Sequence, residues 1–384
     1  MTAACASPME ILWVTGRHFG DDLCQTTQVE VANALKRKGF NVSFLAPASE
    51  SGISMLKNEG LEIIRLKPSS IPGLKSISFD KQVVKRLPEI IKERSFDVAI
   101  CSWRGALGAI KPLGIANIPW VLMDRGPPAY SGMLGRLQWK YYDRVLRKSC
   151  SETSAIFTVS TGHAEFVKNR FNLEKAPFVV SAGATPSRFK LVDSEEISTT
   201  GLIYHGRLDK SRNILKLIDI GDALTRKDID FHMTLVGDGG ELERLRKLSK
   251  SRKWLTIIPY ISPDEVSKVL IKNHIGLLPM GSRLVWRTAS PLKLFEYGAA
   301  GLTIIGVDHD GHRLEGECEF LKLVPEENMV EAMATAIEES IEKNEFDSIG
   351  ESARRYIREN KTWDHSIESL EKVLQELVSE DNSS

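Results

Sequence analysis

The feature that most restricts this chain is a rhythm that runs, breaks once and runs again. Short apolar runs of strand length alternate with amphipathic stretches of helical spacing, first from Glu10 to Val159 and again from Gly201 onward. Glu10 to Thr15 is strand-like, a loop follows, Gln25 to Lys38 carries Val29, Val31, Ala32 and Leu35 at helical spacing, and Asn41 to Leu45 is strand-like again. Gly39 stands where a helix closes on a left-handed residue, so the opening is a β-loop-α-β unit. Further strands are expected at Leu61 to Leu66, Val98 to Ser102, Pro119 to Met123 and Ala155 to Val159, with helices between them. This order implies a parallel, doubly wound sheet.

Between Ser181 and Thr200 the rhythm dissolves into Gly, Ala, Thr, Pro, Ser and acidic residues, the composition of a linker. It restarts with a strand at Gly201 to His205, a helix from Ile214 to Thr225, a strand at Phe231 to Val236 and a helix from Glu241 to Lys250. A strand at Leu255 to Ile258 and a helix opened by Ser262-Pro263-Asp264-Glu265 follow; Ser262 and Glu265 form a capping box with Pro263 in the first turn. Two separate doubly wound lobes are expected. A length of 384 residues with 42% hydrophobic content agrees, because single cores stop growing well below that size.

Other classes fall away on composition. The longest apolar runs, such as Leu302 to Val307, are far short of the roughly 20 residues that cross a bilayer. Met1 to Pro8 lacks the basic start and apolar stretch of a secretory signal and reads as an extension. Five scattered cysteines, Cys5, Cys24, Cys101, Cys150 and Cys318, match neither a disulfide framework nor a zinc site, so a reducing cytoplasm is the expected setting. Net charge is zero, but residues 1–185 hold 24 Lys and Arg against 16 Asp and Glu, and the remainder 27 against 35. The first half is thus eight charges positive, which suits an anionic partner such as a membrane surface or a phosphate-bearing acceptor, or else an ordinary solvated surface. No nucleic-acid partner is expected.

Open α/β sheets bind ligands at the carboxyl ends of their strands, and two such lobes face to face make one deep cleft. Three loops of the second half leave strand ends with chemistry suited to a nucleoside diphosphate. Tyr204 to Arg212 sets Arg207 and Arg212 five residues apart around a turn, and guanidiniums grip phosphate oxygens in pairs; the alternative is surface pairing. Val236 to Glu241 includes Gly237, whose bare backbone lets a flat base approach, although such turns are common. In the third, Ser290 can cap a helix, Pro291 suits its first position and Gly301 ends it. Its amino terminus is a ready anion site. Glu296, one and a half turns in, can accept both hydroxyls of a ribose, or alternatively pair with Lys293 on an exposed face.

These segments together resemble glycosyltransferase family 4 of the GT-B fold. The resemblance runs through the glycine-containing loop after the first strand, Gly206-Arg207-Leu208 with Arg212, Leu235 to Gly239, and Ser262 to Glu265. It continues through Asn273 to Pro279 and Phe295 to Gly301, and ends at Thr362-Trp363-Asp364. It implies an α/β protein with two Rossmann-like lobes facing a central cleft. Residues 1–185 would be the acceptor-binding lobe, 186–200 a linker, and 201–365 the donor-binding lobe. Residues 366–384 would form a closing helix, Ser366 to Leu377, returning to the first lobe, plus a polar tail.

The resemblance further implies a retaining transfer of a hexose or N-acetylhexosamine from a nucleoside-diphosphate sugar to a glycan or lipid-linked hydroxyl. Arg207 and Arg212 would hold the diphosphate, Glu296 the ribose, and the amides around Leu292 and Lys293 the distal phosphate, with Gly237, Tyr260, Thr288, Ser290 and Pro291 completing the donor site. On the first lobe Gly20 would let the backbone approach that phosphate, His18 would stand near the sugar, and Arg17, Asp124 and Arg125 would face the acceptor. No cofactor and no metal are implied, since arginines supply the cations and these loops contain no Asp-x-Asp. Relatives often carry a glutamate eight residues before Glu296, where this chain has Thr288, and an asparagine-glycine pair where it has Ala182-Gly183-Ala184. A non-catalytic, nucleotide-sugar-binding partner subunit is therefore the alternative. Leu134 to Lys148, rich in Arg, Lys, Trp and Tyr, suits peripheral contact with anionic headgroups at the inner face of a membrane, whereas Leu137, Tyr141 and Val145 at helical spacing suit a core.

Overall fold

The computed structural model describes residues 8–20, 26–69, 71, 74–129, 132–190 and 199–381, without the side chains of 380 and 381. The leader, Cys5, Cys24, Gln25, Tyr130, most of the expected linker and the end of the polar tail lie outside the described residues. The chain divides into two compact units, one reaching to Ser181 and resuming at Ser366, the other spanning Ala182–His365.

In unit 1 the strands are β1 (Met9–Val14), β2 (Phe40–Pro47), β3 (Glu62–Leu66), β4 (Val98–Ser102), β5 (Trp120–Met123), β6 (Ala155–Thr158) and β7 (Phe178–Val179). Between them run α1 (Thr26–Arg37), α2 (Glu50–Asn58), α3 (Lys75–Glu93), α4 (Ala106–Ile115), α5 (Gly132–Ser149) and α6 (Thr161–Phe171). All pairings are parallel, in the order β3-β2-β1-β4-β5-β6-β7. Strands covered on both faces need unbroken apolar runs, and Ile11, Leu12, Trp13 and Val14 of β1 are all fully buried. Trp13, Phe44 and Phe19 pack with tilted rings on one side, while Phe79, Val83 and Leu87 of α3 fill the other.

Unit 2 has β8 (Thr200–His205), β9 (Phe231–Val236), β10 (Leu255–Ile258), β11 (Ile275–Leu278), β12 (Thr303–Val307) and β13 (Leu321–Val324). Its helices are α7 (Ile214–Arg226), α8 (Leu242–Ser249), α9 (Pro263–Leu270), α10 (Leu284–Arg287), α11 (Leu292–Ala300), α12 (Met329–Lys343) and α13 (Phe346–Asn360). The order β10-β9-β8-β11-β12-β13 is again wholly parallel. At α9 the capping box is present in full, with Ser262 Oγ accepting from the Glu265 N–H and the Glu265 carboxylate accepting from the Ser262 N–H.

After α14 (Trp363–Ser366), α15 (Glu368–Asp381) belongs to unit 1, where Ser369 Oγ donates to the Val179 carbonyl (3.0 Å) and Glu371 pairs with Lys38 (3.2 Å). Among the described residues no helix is long and apolar enough to cross a membrane. On α5, Val145 and Tyr142 are buried, but Leu137 is exposed along with Leu134 and Met133, the last at 80%. The helical spacing of Leu137, Tyr141 and Val145 therefore describes a core face only in the second half of that helix.

Candidate functional site

In unit 2 the end of β8 and the start of α11 converge. Tyr297 is buried beneath the sheet end and its hydroxyl accepts from the His205 N–H (3.3 Å), anchoring the helix to the strand. One residue earlier, Glu296 Oε2 lies 3.1 Å from His205 Nε2. Burial pushes the Glu296 carboxyl up, but His205, Lys293 and Arg188 outweigh it and hold the group below the usual carboxylate range. Glu296 is thus a half-buried carboxylate facing the strand end; its partner is His205, not Lys293. His205 stands inside the quoted strand-end segment, yet nothing local connects residues 91 positions apart.

Two cations, Lys293 and Arg212, act on Tyr204, whose hydroxyl donates to the Arg207 backbone carbonyl (3.0 Å). Lys293 Nζ lies 5.2 Å from the centre of the Tyr204 ring. Burial pushes the Tyr204 phenol up to about 12, and Arg212 nearby works against that rise. The Arg212 guanidinium sits 4.6 Å over the Trp286 ring, whose indole N–H donates to the Ser211 carbonyl (3.1 Å). Arg207 is exposed and its Nε donates to Asp209 (3.1 Å), so part of the surface-pairing alternative is present within the cationic loop.

Glycine chemistry here serves the backbone first. Gly237 has φ +143, and a Cβ built on it would stand 1.8 Å from the Gly206 carbonyl oxygen. The close approach that Gly237 permits is thus between two loops. Those loops are laced further by Leu208 N–H to the Asp238 carbonyl (2.9 Å) and Gly240 N–H to Asp209 Oδ1 (3.0 Å). Tyr260, after β10, is 57% exposed.

Ser290 differs from expectation. Pro291 occupies the cap position of α11 with no side-chain cap, and Ser290 Oγ instead accepts from the Ala182 N–H (2.8 Å). Gly301 ends the helix in a left-handed conformation, as its place in the sequence suggests. Thr288 is 3% exposed and its hydroxyl donates to the Leu284 carbonyl (2.7 Å). His309 and His312 pack with ring centres 3.9 Å apart and their planes tilted by 34°. Burial, then His309, pushes His312 down to about 3, with the Lys293 charge adding to the effect. This neutral pair was not singled out from the sequence. A hollow of about 910 Å³ lies elsewhere, bordered by Thr199, Phe231, Trp254 and Asn273 near the amino ends of the strands, the wrong edge for a nucleotide in an open α/β sheet.

In unit 1, Gly20 has φ +102 and a Cβ there would meet Ser49 Oγ at 2.0 Å, so this glycine lets its loop lie on the amino end of α2. His18 and Arg17 precede it, half-buried, and the Arg17 N–H donates to Thr15 Oγ1 (3.2 Å). Asp124, expected to face an acceptor, is fully buried: it accepts from the Tyr142 hydroxyl (2.5 Å) and the Gly126 N–H (3.1 Å), with His163 Nε2 at 3.2 Å. Burial raises its carboxyl, but His163, then Tyr142 and Gly126, bring it below the usual range. Such a carboxylate positions its loop and does not meet a ligand. Arg125, next to it, donates from Nη1 to the Val180 carbonyl (2.8 Å).

Comparison with known proteins agrees with this geometry. The profile described as Glycosyltransferase Family 4 matches residues 25–184, and that described as Glycosyl transferases group 1 matches residues 199–343. An uncharacterized glycosyltransferase of Haemophilus influenzae is 22% identical over 294 residues, 73% of this chain and 75% of that protein. A glycosyltransferase from Rickettsia africae superposes with a TM-score of 0.75 at 16% identity, covering 97% of this chain and 99% of the other. HepE of Anabaena, solved in complex with UDP, gives 0.72 at 14% identity, covering 96% and 100%.

Proposed function

Because the chain belongs to the GT-B glycosyltransferases, we propose that it moves a hexose or N-acetylhexosamine from a nucleoside-diphosphate sugar to a hydroxyl of a glycan or lipid-linked acceptor, with retention of anomeric configuration. The observation that carries this reading is the approach of Arg212 and Lys293 to Tyr204 at the end of β8, with Arg207 in the same loop and the ionised Glu296 under the influence of Lys293. Guanidiniums and an ammonium offset the charge of a diphosphate, and a carboxylate that stays ionised accepts the two hydroxyls of a ribose. Amides at the start of α11 add donors for the distal phosphate. UDP in the Anabaena relative makes a uridine donor the first to test, and the exposed Tyr260 after β10 is assigned in this proposal to the base.

In the reaction the bond between the anomeric carbon and the diphosphate oxygen breaks, and negative charge grows on that oxygen, where Arg207, Arg212 and Lys293 stabilise it. The acceptor hydroxyl attacks from the same face and its proton passes to the departing phosphate, so atoms and charge balance without a protein nucleophile. These side chains supply the cationic charge, and we propose that no metal or other cofactor is required. A cytoplasmic enzyme touching the inner membrane face through Met133, Leu134 and Leu137, flanked by Arg136 and Lys140, extends the same reading. Sedimentation with vesicles would then depend on anionic lipid and on salt.

The buried Thr288 favours one alternative, a subunit that binds a nucleotide sugar without turning it over. One experiment decides. The protein is incubated with UDP-, GDP- and ADP-sugars and candidate acceptors, and diphosphate release is followed with Arg207→Ala and Glu296→Ala as controls. Turnover lost in both variants supports the transferase; binding without release supports the subunit; activity indifferent to both substitutions defeats the site assignment. Proton NMR of the product's anomeric centre tests retention.

A further inference from the structure

In unit 2, β8 and β11 lie side by side, in register through Leu202 with Ile275 and Ile203 with Gly276, so the loops at their carboxyl ends are neighbours. The loop after β11 runs from Pro279 to Pro291 and contains the short α10, which buries none of its four residues. Its anchors come from flanking loops. The Ser282 N–H donates to Glu326 (2.8 Å), and Gly311, where a Cβ would stand 2.1 Å from the Trp286 carbonyl oxygen, lets the loop after β12 press against α10. From the loop after β8, Asn213, left-handed at φ 56, donates from Nδ2 to the Pro279 carbonyl (3.1 Å).

Trp286 is the informative residue of α10. It is half-buried, so its large ring is not spent on filling the core, and it meets the loop after β8 in two ways. The indole N–H donates to the Ser211 carbonyl (3.1 Å), and the Arg212 guanidinium lies 4.6 Å from the ring centre. One side chain thus holds both the backbone beside Arg212 and its charged end. Arginine is long and rotamer-rich, and ordering such a side chain on binding costs affinity. A cation over an aromatic face is attracted through its charge, and that contact spends none of its N–H donors. Arg207 in the same loop is held differently, by Asp209 accepting from Nε (3.1 Å), which draws on charge and donor together.

We propose that Trp286 is a positioning residue of the donor site: its indole fixes Arg212 before the nucleotide arrives, so that little ordering of the guanidinium is left to the binding step. The inference rests on the donor reading, in which Arg212 holds the diphosphate. Trp286 acts through Arg212, and charge held in place beforehand counts most when the bond to the leaving diphosphate oxygen breaks.

UDP, GDP and ADP are titrated by calorimetry into the full chain, and the tightest binder is carried into Arg212→Ala, Trp286→Leu and the double variant. Arg212→Ala is expected to weaken it, and Trp286→Leu to weaken it by about three- to thirtyfold, the range of a cation–π contact. In the Arg212→Ala background the same leucine substitution should change affinity by less than about twofold, because the ring then has no guanidinium to hold. A ring that only supports the fold would cost the same in both backgrounds, and that result would overturn the inference, as would an unmoved affinity in Trp286→Leu. Trp286→Phe keeps an aromatic face and removes the indole N–H, so its affinity is expected between wild type and the leucine variant. Should the leucine variant fail to fold, the cycle run with phenylalanine gives a smaller coupling of the same sign, and zero coupling there overturns the inference equally. The donor reading fails by a different result: none of the three diphosphates binds, or Arg212→Ala leaves the affinity where it was. A loss in Arg212→Ala beside an untouched Trp286→Leu sinks the role of Trp286 alone.

Discussion

Glu296→Gln separates a ribose-holding carboxylate from a merely structural one. In the native site the carboxyl is kept below the usual carboxylate range, since His205, Lys293 and Arg188 outweigh the opposing effect of burial. At neutral pH it therefore offers two charged acceptor oxygens. Glutamine keeps the shape and one acceptor but replaces the other by an NH₂ donor, so one charge-assisted hydrogen bond is lost and one ribose hydroxyl faces a donor. Hydrogen bonds to charged groups contribute about 1.5–3 kcal/mol, which corresponds to roughly a 10- to 150-fold weaker dissociation constant. The assay is calorimetric titration of wild type and variant with the selected nucleoside diphosphate and its 2′-deoxy analogue. If Glu296 holds the ribose, removing the 2′-hydroxyl costs affinity in the wild type and much less in the variant, a coupling that a double-mutant cycle reads directly. The sign with pH follows from the depressed carboxyl: the Glu296 contribution, read as the difference between wild type and Glu296→Gln, is level from pH 8 through the ordinary carboxylate range and falls only once pH drops through the lower native value. Equal penalties for the deoxy analogue in both proteins, or an unchanged affinity in Glu296→Gln, would refute the assignment.

Three further outcomes are expected. His312 is buried neutral and pushed down to about 3, while the unfolded side chain takes a proton near 6.5. Stability is thus lost as pH falls below that value, by about 2 kcal/mol between pH 7 and 5, and urea unfolding of His312→Gln should show that much less acid sensitivity. Gly237→Ala should destabilise unit 2 by more than about 2 kcal/mol, because the added Cβ meets a carbonyl oxygen at 1.8 Å in a strained backbone, and thermal unfolding of the variant measures it. Tyr142→Phe leaves the buried Asp124 carboxylate without its hydroxyl donor and should cost about 1–3 kcal/mol in urea unfolding, with no change in diphosphate affinity.

What could be read from the sequence was what local chemistry decides. The strand at Phe231–Val236, the strand at Leu255–Ile258 and the capping box at Ser262 stand where their residues put them, because an apolar run between turn signals and a Ser-Pro-Asp-Glu start act over a few positions. Helix α2 gave no such sign. It buries only Gly52 and Leu56, and it is fixed by Ser49 accepting from the Gly52 N–H and by a close fit of Gly52 against the Phe19 backbone, a contact made across 33 residues. The two-residue β7 is too short for any periodicity. The site divides the same way. Arg207, Arg212 and Glu296 were legible as residue types in strand-end loops, whereas the His205 partner of Glu296 and the Ala182 N–H that donates to Ser290 Oγ arise from tertiary contact.

Thr288 shows what such contacts imply for sugar choice. A glutamate at that position could reach outward to a sugar hydroxyl, but this threonine is buried and its proton is already directed to the Leu284 carbonyl. It therefore acts by fixing the turn between α10 and α11, not by meeting a ligand. Ser290 is engaged differently: its oxygen accepts from Ala182, which leaves its own O–H as a donor, and Pro291 at the cap contributes no side-chain bond to the amides that open α11. On the proposed donor reading, sugar recognition on this unit would fall to groups that donate, the Ser290 hydroxyl and the first amides of α11. Substitution of Thr288 by valine, which keeps the shape and removes the bond to Leu284, should shift KM for the donor sugar while leaving affinity for the free diphosphate within about twofold. A threonine that touched the sugar itself would instead lose sugar discrimination in the valine variant with the turn intact.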